Sequence, residues 1–141
     1  MTFSTIIPTP SKIEIHKTEP FILPEFLEIC FNDANIHQKD LLERIGNTLK
    51  ILTDGAVGFS VQINQPKDKG KALILKIDNS LQKNEYIIDV DTEIRITAGN
   101  LQPLIQGVVS LFQLISFDSS TPVQWAVPQC HIEDSPSFPY I

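Results

Sequence analysis

Apolar and polar residues alternate in several short stretches of this chain and switch in two places to a three-to-four spacing. The first switch begins at Ile36: Ile36, Leu41, Leu42, Ile45, Leu49 and Leu52 are interleaved with Gln38, Lys39, Glu43, Asn47 and Lys50. That period predicts an amphipathic helix. Asp54-Gly55 and Gly58 should stop it, because glycine adopts the left-handed conformation of a helix C-terminus at little cost. The second runs from Leu101 to Ile115, "LQPLIQGVVSLFQLI", with Asn100 as N-cap and Pro103 still inside the first turn, where a missing N–H is harmless. Its apolar residues face almost every direction, so it should be buried over most of its circumference. Gly107 within it predicts close contact with a neighbouring strand.

The alternating stretches read as strands. In "IIPTPSKIEI" (Ile6 to Ile15) two prolines precede an extended segment with Ile13 and Ile15 on one side and Lys12 and Glu14 on the other. "PFIL" and "EFLEICF" stay apolar across Pro24, which predicts short or edge strands. "FSVQI" (Phe59 to Ile63) and "KALILKID" (Lys71 to Asp78) are two more, and "EYIIDVDTEIRITA" (Glu85 to Ala98) is a β-hairpin turning around Asp91 to Glu93. Val123, Trp125 and Val127 give a last strand, after which Pro128, Pro136 and Pro139 impose an extended path. One amphipathic and one largely apolar helix need a single sheet face to cover. The predicted class is therefore α+β, a mostly antiparallel sheet with two helices packed on one face. No repeat or low-complexity linker divides residues 1–141, so a single domain is expected.

Composition narrows the function classes. A chain of 141 residues, 42% hydrophobic and 20% charged, can bury a core without a staple. Its apolar runs are too short to span a bilayer, and "MTFSTIIPTP" lacks the basic start and apolar stretch of an export signal, so no membrane partner is expected. A net charge of −6 repels a phosphate backbone, which disfavours nucleic acid. Cys30 and Cys130, a hundred residues apart, form no metal spacing; they read as buried free thiols, and pairing would need the fold to bring them together.

A search for convergent chemistry finds little. Glu133-Asp134 is the sole adjacent carboxylate pair, and neighbours on an extended chain point to opposite faces; Asp134 before Ser135-Pro136 reads as a turn cap. His16, His37 and His131 share no ligand spacing and read as surface residues. No nucleophile elbow, phosphate loop or dinucleotide fingerprint occurs. No catalytic, cofactor-binding or metal-binding residue is assigned, and no cofactor is expected. Trp125, Phe138 and Tyr140 offer aromatic faces that suit a sugar ring, although a strand ending in aromatics more often belongs to a core or a domain interface.

Four segments, in this order, resemble the N-terminal non-catalytic domain of family-20 glycoside hydrolases, the β-N-acetylhexosaminidases. "IIPTPSKIEI" is similar to that family's opening segment, "NEYIIDVDTEIRITAGN" to its hairpin, "LIQGVVSLFQLI" to its helix, and "IEDSPSFPY" to the junction that leads into a (β/α)₈ barrel. The resemblance implies an α+β accessory domain whose catalytic Asp-Glu pair lies beyond Ile141, in a barrel absent from this chain. Ser137 and Ile141 stand where the family carries arginines, so no sugar-binding role passes to either. It further implies that the partner is that barrel, within one polypeptide, and that the parent enzyme trims N-acetylhexosamine in a periplasmic or secreted setting. Two other readings stay open: a carbohydrate-binding module using Trp125 and Tyr140, and a stand-alone binding protein. An apolar patch of Trp125, Val127, Phe138 and Tyr140 is expected beside the barrel, with weak self-association of the free domain through it.

Overall fold

The computed structural model describes residues 12–16, 19–31, 39–62, 69–118 and 124–135. Ile36, His37, Ile63, Val123, Phe138 and Tyr140 lie outside them. Ten strands and two helices are present among the described residues: β1 (Lys12–Ile15), β2 (Phe21–Ile22), β3 (Phe26–Phe31), α1 (Lys39–Leu52), β4 (Gly58–Gln62), β5 (Ala72–Ile77), β6 (Tyr86–Val90), β7 (Ile94–Ala98), α2 (Leu101–Leu114), β8 (Ser116–Asp118), β9 (Gln124–Val127) and β10 (Cys130–Asp134).

Seven strands form one sheet in the order β1-β10-β6-β7-β5-β3-β4, and β2-β9-β8 form a second, small one. The hairpin is in place, with Tyr86 opposite Ala98 and Val90 opposite Ile94. Three pairings are parallel, β3 with β4, β3 with β5 and β5 with β7. The other five are antiparallel, so antiparallel pairing predominates over the two sheets while the large sheet itself is mixed. The parallel pairing of β3 with β4 follows from α1, since a helical crossover returns the chain to run alongside β3 in the same direction.

Two expectations change. Across Pro24, β2 is a short edge strand, but β3 is interior, flanked on both sides by β4 and β5. Its alternating apolar residues Leu27, Ile29 and Phe31 enter the core, and Pro24 precedes the ladder, where its missing N–H breaks no pairing. The segment after Pro128 is more than an extended exit: β10 sits between β1 and β6.

Both helices pack on one face of the large sheet. In α1 the buried residues are Leu42, Ile45, Gly46 and Leu49. The helix ends in two crossed bonds, Gly55 N–H to the Lys50 carbonyl (2.7 Å) and Asp54 N–H to Ile51 (3.0 Å). The left-handed cap itself falls on Asp54 (φ 56°), with Gly55 (φ 82°) following, so the dipeptide rather than glycine alone stops the helix. In α2, Asn100 Oδ1 accepts from Leu101 N–H at 2.9 Å, as the capping pattern predicts.

Glycine brings each helix close to the sheet. A Cβ on Gly107 would lie 2.8 Å from Ile96 Cγ2 and 3.3 Å from Tyr86 Cδ1, the strand contact expected from the sequence. In α1 the Phe59 ring of β4 occupies the space a Cβ on Gly46 would need. Burial of α2 is narrower than its composition suggests. Leu104, Val108, Leu111 and Leu114 enter the core, whereas Ile105 and Val109 face outward at 39% and 45% exposure.

Leu111 is the most direct test of this packing. Leu111→Asp places an unpaired charge between helix and sheet and should cost at least about 3 kcal/mol, while the volume-conserving Leu111→Met should cost less than about 1.5 kcal/mol. Urea denaturation of both variants checks it, and a wild-type midpoint for Leu111→Asp would contradict the orientation of α2.

Candidate functional site

The strand registers sort the side chains of the large sheet into two faces. Ile29, Leu73, Ile94 and Val90 stand in one row toward the helices, and in the adjacent row Cys30, Ile74, Arg95, Asp89, His131 and Glu14 stand on the opposite, outer face. The outer face is where charge collects. Arg95 donates to Asp91 (3.0 Å) and Glu93 (2.7 Å), fastening the tip of the hairpin. His131 lies between Asp89, 2.5 Å from Nδ1, and Glu133, 2.6 Å from Nε2. Lys12 of β1 completes the group, 3.8 Å from Glu133 and 3.6 Å from Glu14. Hydrogen bonds donated to Glu133 and then to Asp89 hold the His131 pKa above its usual value, and accepting from His131 holds Glu133 below its own.

On the helix face, polar groups meet at one point. The Tyr86 hydroxyl is 2.9 Å from Ser110 Oγ and 3.4 Å from Asp134 Oδ2, all three residues being buried. Asp134 Oδ1 also accepts from Ser135 N–H at 2.9 Å. This small network ties β6, α2 and β10 together. Burial pushes the Tyr86 phenol up to about 12, so it remains a neutral donor at physiological pH.

Apolar depressions lie on the surface of the described residues, two of them beside the helices and the aromatic pair. Leu41, Arg44, Ile45, Thr48, Ile105, Val108, Val109 and Phe112 line a groove of about 180 Å³ between α1 and α2. A second, shallower one of about 470 Å³ is lined by Thr53, Asp54, Ala56, Phe117 and Trp125. There the Phe117 and Trp125 rings are 4.8 Å apart and tilted by 59°.

The residues singled out in the sequence are distributed as follows. Glu133 and Asp134 point to opposite faces, and Asp134 accepts from the N–H of Ser135 and, unexpectedly, from Tyr86; the turn expected at Ser135-Pro136 runs outside the described residues. His16 is exposed, but His131 is half-buried and doubly bonded, which corrects its reading as a plain surface residue. The alternation of Cys130, His131, Ile132 and Glu133 carried the signal for His131 and Glu133 sharing a face. Asp89, forty-two residues away, was reachable only through strand register.

Cys30 and Cys130 are free and buried, on opposite faces and with β5, β7 and β6 between their strands, so they cannot pair. Burial, chiefly, pushes their thiols up to about 11 and about 12, far from the range of a reactive thiolate. Of the apolar patch expected near the exit, Val127 is fully buried and Trp125 packs partly against the core. Phe138 and Tyr140 lie outside the described residues, among which the exposed large apolar residues are Ile15, Ile22, Phe26, Ile51, Leu52, Ile105, Val109 and Phe117. Among the described residues no group of three or more His, Cys, Asp or Glu is arranged to hold a metal ion, and no helix is long and apolar enough to cross a membrane.

Comparison with known proteins gives a consistent picture. The sequence matches the family described as glycosyl hydrolase family 20, domain 2, over residues 4–135. The fold is shared with a family-20 exo-β-N-acetylglucosaminidase from Vibrio harveyi, at 21% identity and a TM-score of 0.73, covering 97% of this chain and 20% of that one. It is shared as well with the N-acetyl-β-hexosaminidase of Streptomyces plicatus, at 23% identity and a TM-score of 0.71, covering 99% of this chain and 28% of that one. The β-N-acetylhexosaminidase of Bacteroides fragilis matches at 19% identity and a TM-score of 0.67, covering 92% and 24%. The chain thus spans between a fifth and somewhat over a quarter of the length of these proteins. No curated protein matches it by sequence.

The buried Tyr86 network generates a prediction of its own. Tyr86→Phe and Ser110→Ala each remove one partner from a buried hydrogen bond and should each cost about 1–2 kcal/mol. Because both act on the same bond, the double variant should fall short of the sum by about 0.5 kcal/mol or more. Urea denaturation of the four proteins measures the cycle; strict additivity would mean that the two hydroxyls are not coupled.

Proposed function

Since the chain belongs to glycosyl hydrolase family 20, domain 2, we propose that it is a non-catalytic accessory domain that buttresses the catalytic barrel of a β-N-acetylhexosaminidase, an enzyme acting on terminal N-acetylhexosamine residues of glycans. In this reading the chemistry resides in the barrel and the domain contributes an interface. The observation that carries the reading is the outward side of the helix pair. Ile105 and Val109 are large, apolar and more than a third exposed, and they border a groove whose floor continues into Leu41, Ile45 and Phe112. A helix layer covered on its second side would need such a surface, and exposed apolar area of this kind favours a partner. The occupant is the barrel of the same polypeptide. The matched enzymes are several times longer than this chain, which leaves room in them for a large catalytic domain.

A second reading, a carbohydrate-binding module, draws on one observation, the Phe117–Trp125 pair beside Asp54 in the shallower depression. Aromatic faces next to a carboxylate suit a sugar ring with its hydroxyls. Titration of N-acetylglucosamine and chitobiose against Trp125 fluorescence separates the two: the buttress expects no saturable change, and the module requires one.

The interface is tested by paired substitutions. Ile105→Asp with Val109→Asp lies on the exposed side of α2, so in the isolated chain each should change stability by no more than about 0.5 kcal/mol. In a polypeptide carrying the barrel, the same pair should lower stability by at least about 1 kcal/mol, read as a lower thermal midpoint. Expressed without the barrel, the wild-type chain should self-associate weakly through this groove in sedimentation, and the double variant should not. Equal effects of the pair with and without the barrel would sink the proposal. The isolated chain should also leave a chromogenic N-acetyl-β-glucosaminide intact; turnover above buffer, in a preparation free of host hexosaminidase, would overturn the non-catalytic reading.

A further inference from the structure

Glu14, His131 and Asp89 stand opposite one another on β1, β10 and β6, and Glu133 lies two residues from His131 on the same face. Asp89 and Glu133 each touch a different nitrogen of the His131 ring. A neutral imidazole carries one N–H and can donate to only one of them; its other nitrogen would then set a lone pair against a carboxylate. Both contacts are satisfied together only by the imidazolium. Charges around the ring fit that state. Lys12 of β1 approaches Glu133 and Glu14, and Arg95 of β7 stands opposite Asp89 while bonding Asp91 and Glu93. With the partners of Arg95 included, Lys12, His131 and Arg95 face Glu14, Glu133, Asp89, Asp91 and Glu93, so the group is already negative with His131 protonated and loss of that proton deepens the imbalance.

We propose that His131 is a pH-sensitive clasp that, when protonated, ties β1, β10 and β6 together across the outer face and, on losing its proton, loosens β1 before the rest of the sheet. The strand most exposed to this change is β1. Among the described residues its one neighbour in the sheet is β10, and Lys12, Glu14 and Ile15 are exposed, leaving Ile13 as its one side chain packed against the core. With so little apolar area buried, β1 is held by its ladder to β10 and by the charges of the outer face. Glu133 joins the two halves of the device, accepting from His131 on one side and facing Lys12 on the other. Because the folded-state pKa of His131 is raised, its contribution is complete below the unfolded value of about 6.5 and is lost as pH rises through the folded value. The site is partly solvated, so the expected result is local opening of an edge strand, with the helix layer undisturbed.

NMR of the whole chain tests this by following the His131 ring through a pH titration together with amide exchange in β1 and α2, corrected for intrinsic rates. His131 should titrate above 6.5, β1 amides should exchange several-fold faster once it has deprotonated, and α2 amides should not respond. In Asp89→Asn and Glu133→Gln the His131 titration should move back toward 6.5 and the pH response of β1 should shrink. In His131→Gln, the second control, that response should vanish. Titration at or below 6.5 in the wild type, β1 opening that ignores the protonation of His131, or an unchanged pH response in His131→Gln would each overturn the proposal.

Discussion

At Gly46 an aromatic ring, and at Gly107 an isoleucine methyl and the edge of a tyrosine, fill the space that a side chain would take. Both helices therefore rest on the sheet backbone-first, closer than side-chain contact alone would allow. The consequences run through the whole molecule. Leu104, Val108 and Leu111 join Ile88, Ile94 and Ile96 in one continuous core made from two helices and a sheet. The Tyr86 ring, pressed against Gly107, carries its hydroxyl to Ser110 less than one turn further on, so a polar contact is set by the same approach. A layer this thin also leaves the far side of the helices uncovered, which is how Ile105 and Val109 come to face outward.

The division of the sheet into a helix-covered face and a charged face explains why the two sides invite different uses. On the covered side, burial is nearly complete and the few polar groups are matched to one another. On the outer side, carboxylates and cations are paired across strands but stay partly solvated, a setting in which protonation can be adjusted without dismantling the core. A family domain proposed to sit against a larger partner through its helices keeps this second face as the part that senses solution conditions.

Much of the fold was legible in the pattern of the chain because the relevant signals are local. The period of α1, the Asn100 cap, the hairpin around Asp91 to Glu93 and the small residue at Gly107 each declare themselves within a few positions. Other features depend on partners distant in sequence. The interior place of β3 was hidden because a proline before a strand looks the same whether the strand is central or at an edge, and α1 alone decides that β4 returns parallel to it. In α2, composition indicated burial over most of the circumference, but the sheet covers only one side of a helix. The outer-face cluster was the hardest to foresee. His131 and Glu133 share a face by simple alternation, whereas Asp89, Lys12 and Arg95 join them only once the registers of β1, β10, β6 and β7 are fixed. The resemblance to the family-20 accessory domain rested on four ordered segments, and it required none of these long-range pairings.

The pairing of Lys12 with Glu133 and of Ile15 with Cys130 sets an order on how the molecule can be assembled. Among the described residues β1 is the first strand and pairs only with β10, which follows every other strand of the sheet in the chain. During translation β3, α1 and β4 can associate as soon as they emerge, because their contacts span short stretches of sequence, whereas β1 must wait for β10 to close the largest loop in the structure. A nascent chain would carry β1 unpaired throughout that interval, and the charges of Lys12 and Glu14, alternating with Ile13 and Ile15, oppose its pairing with another chain.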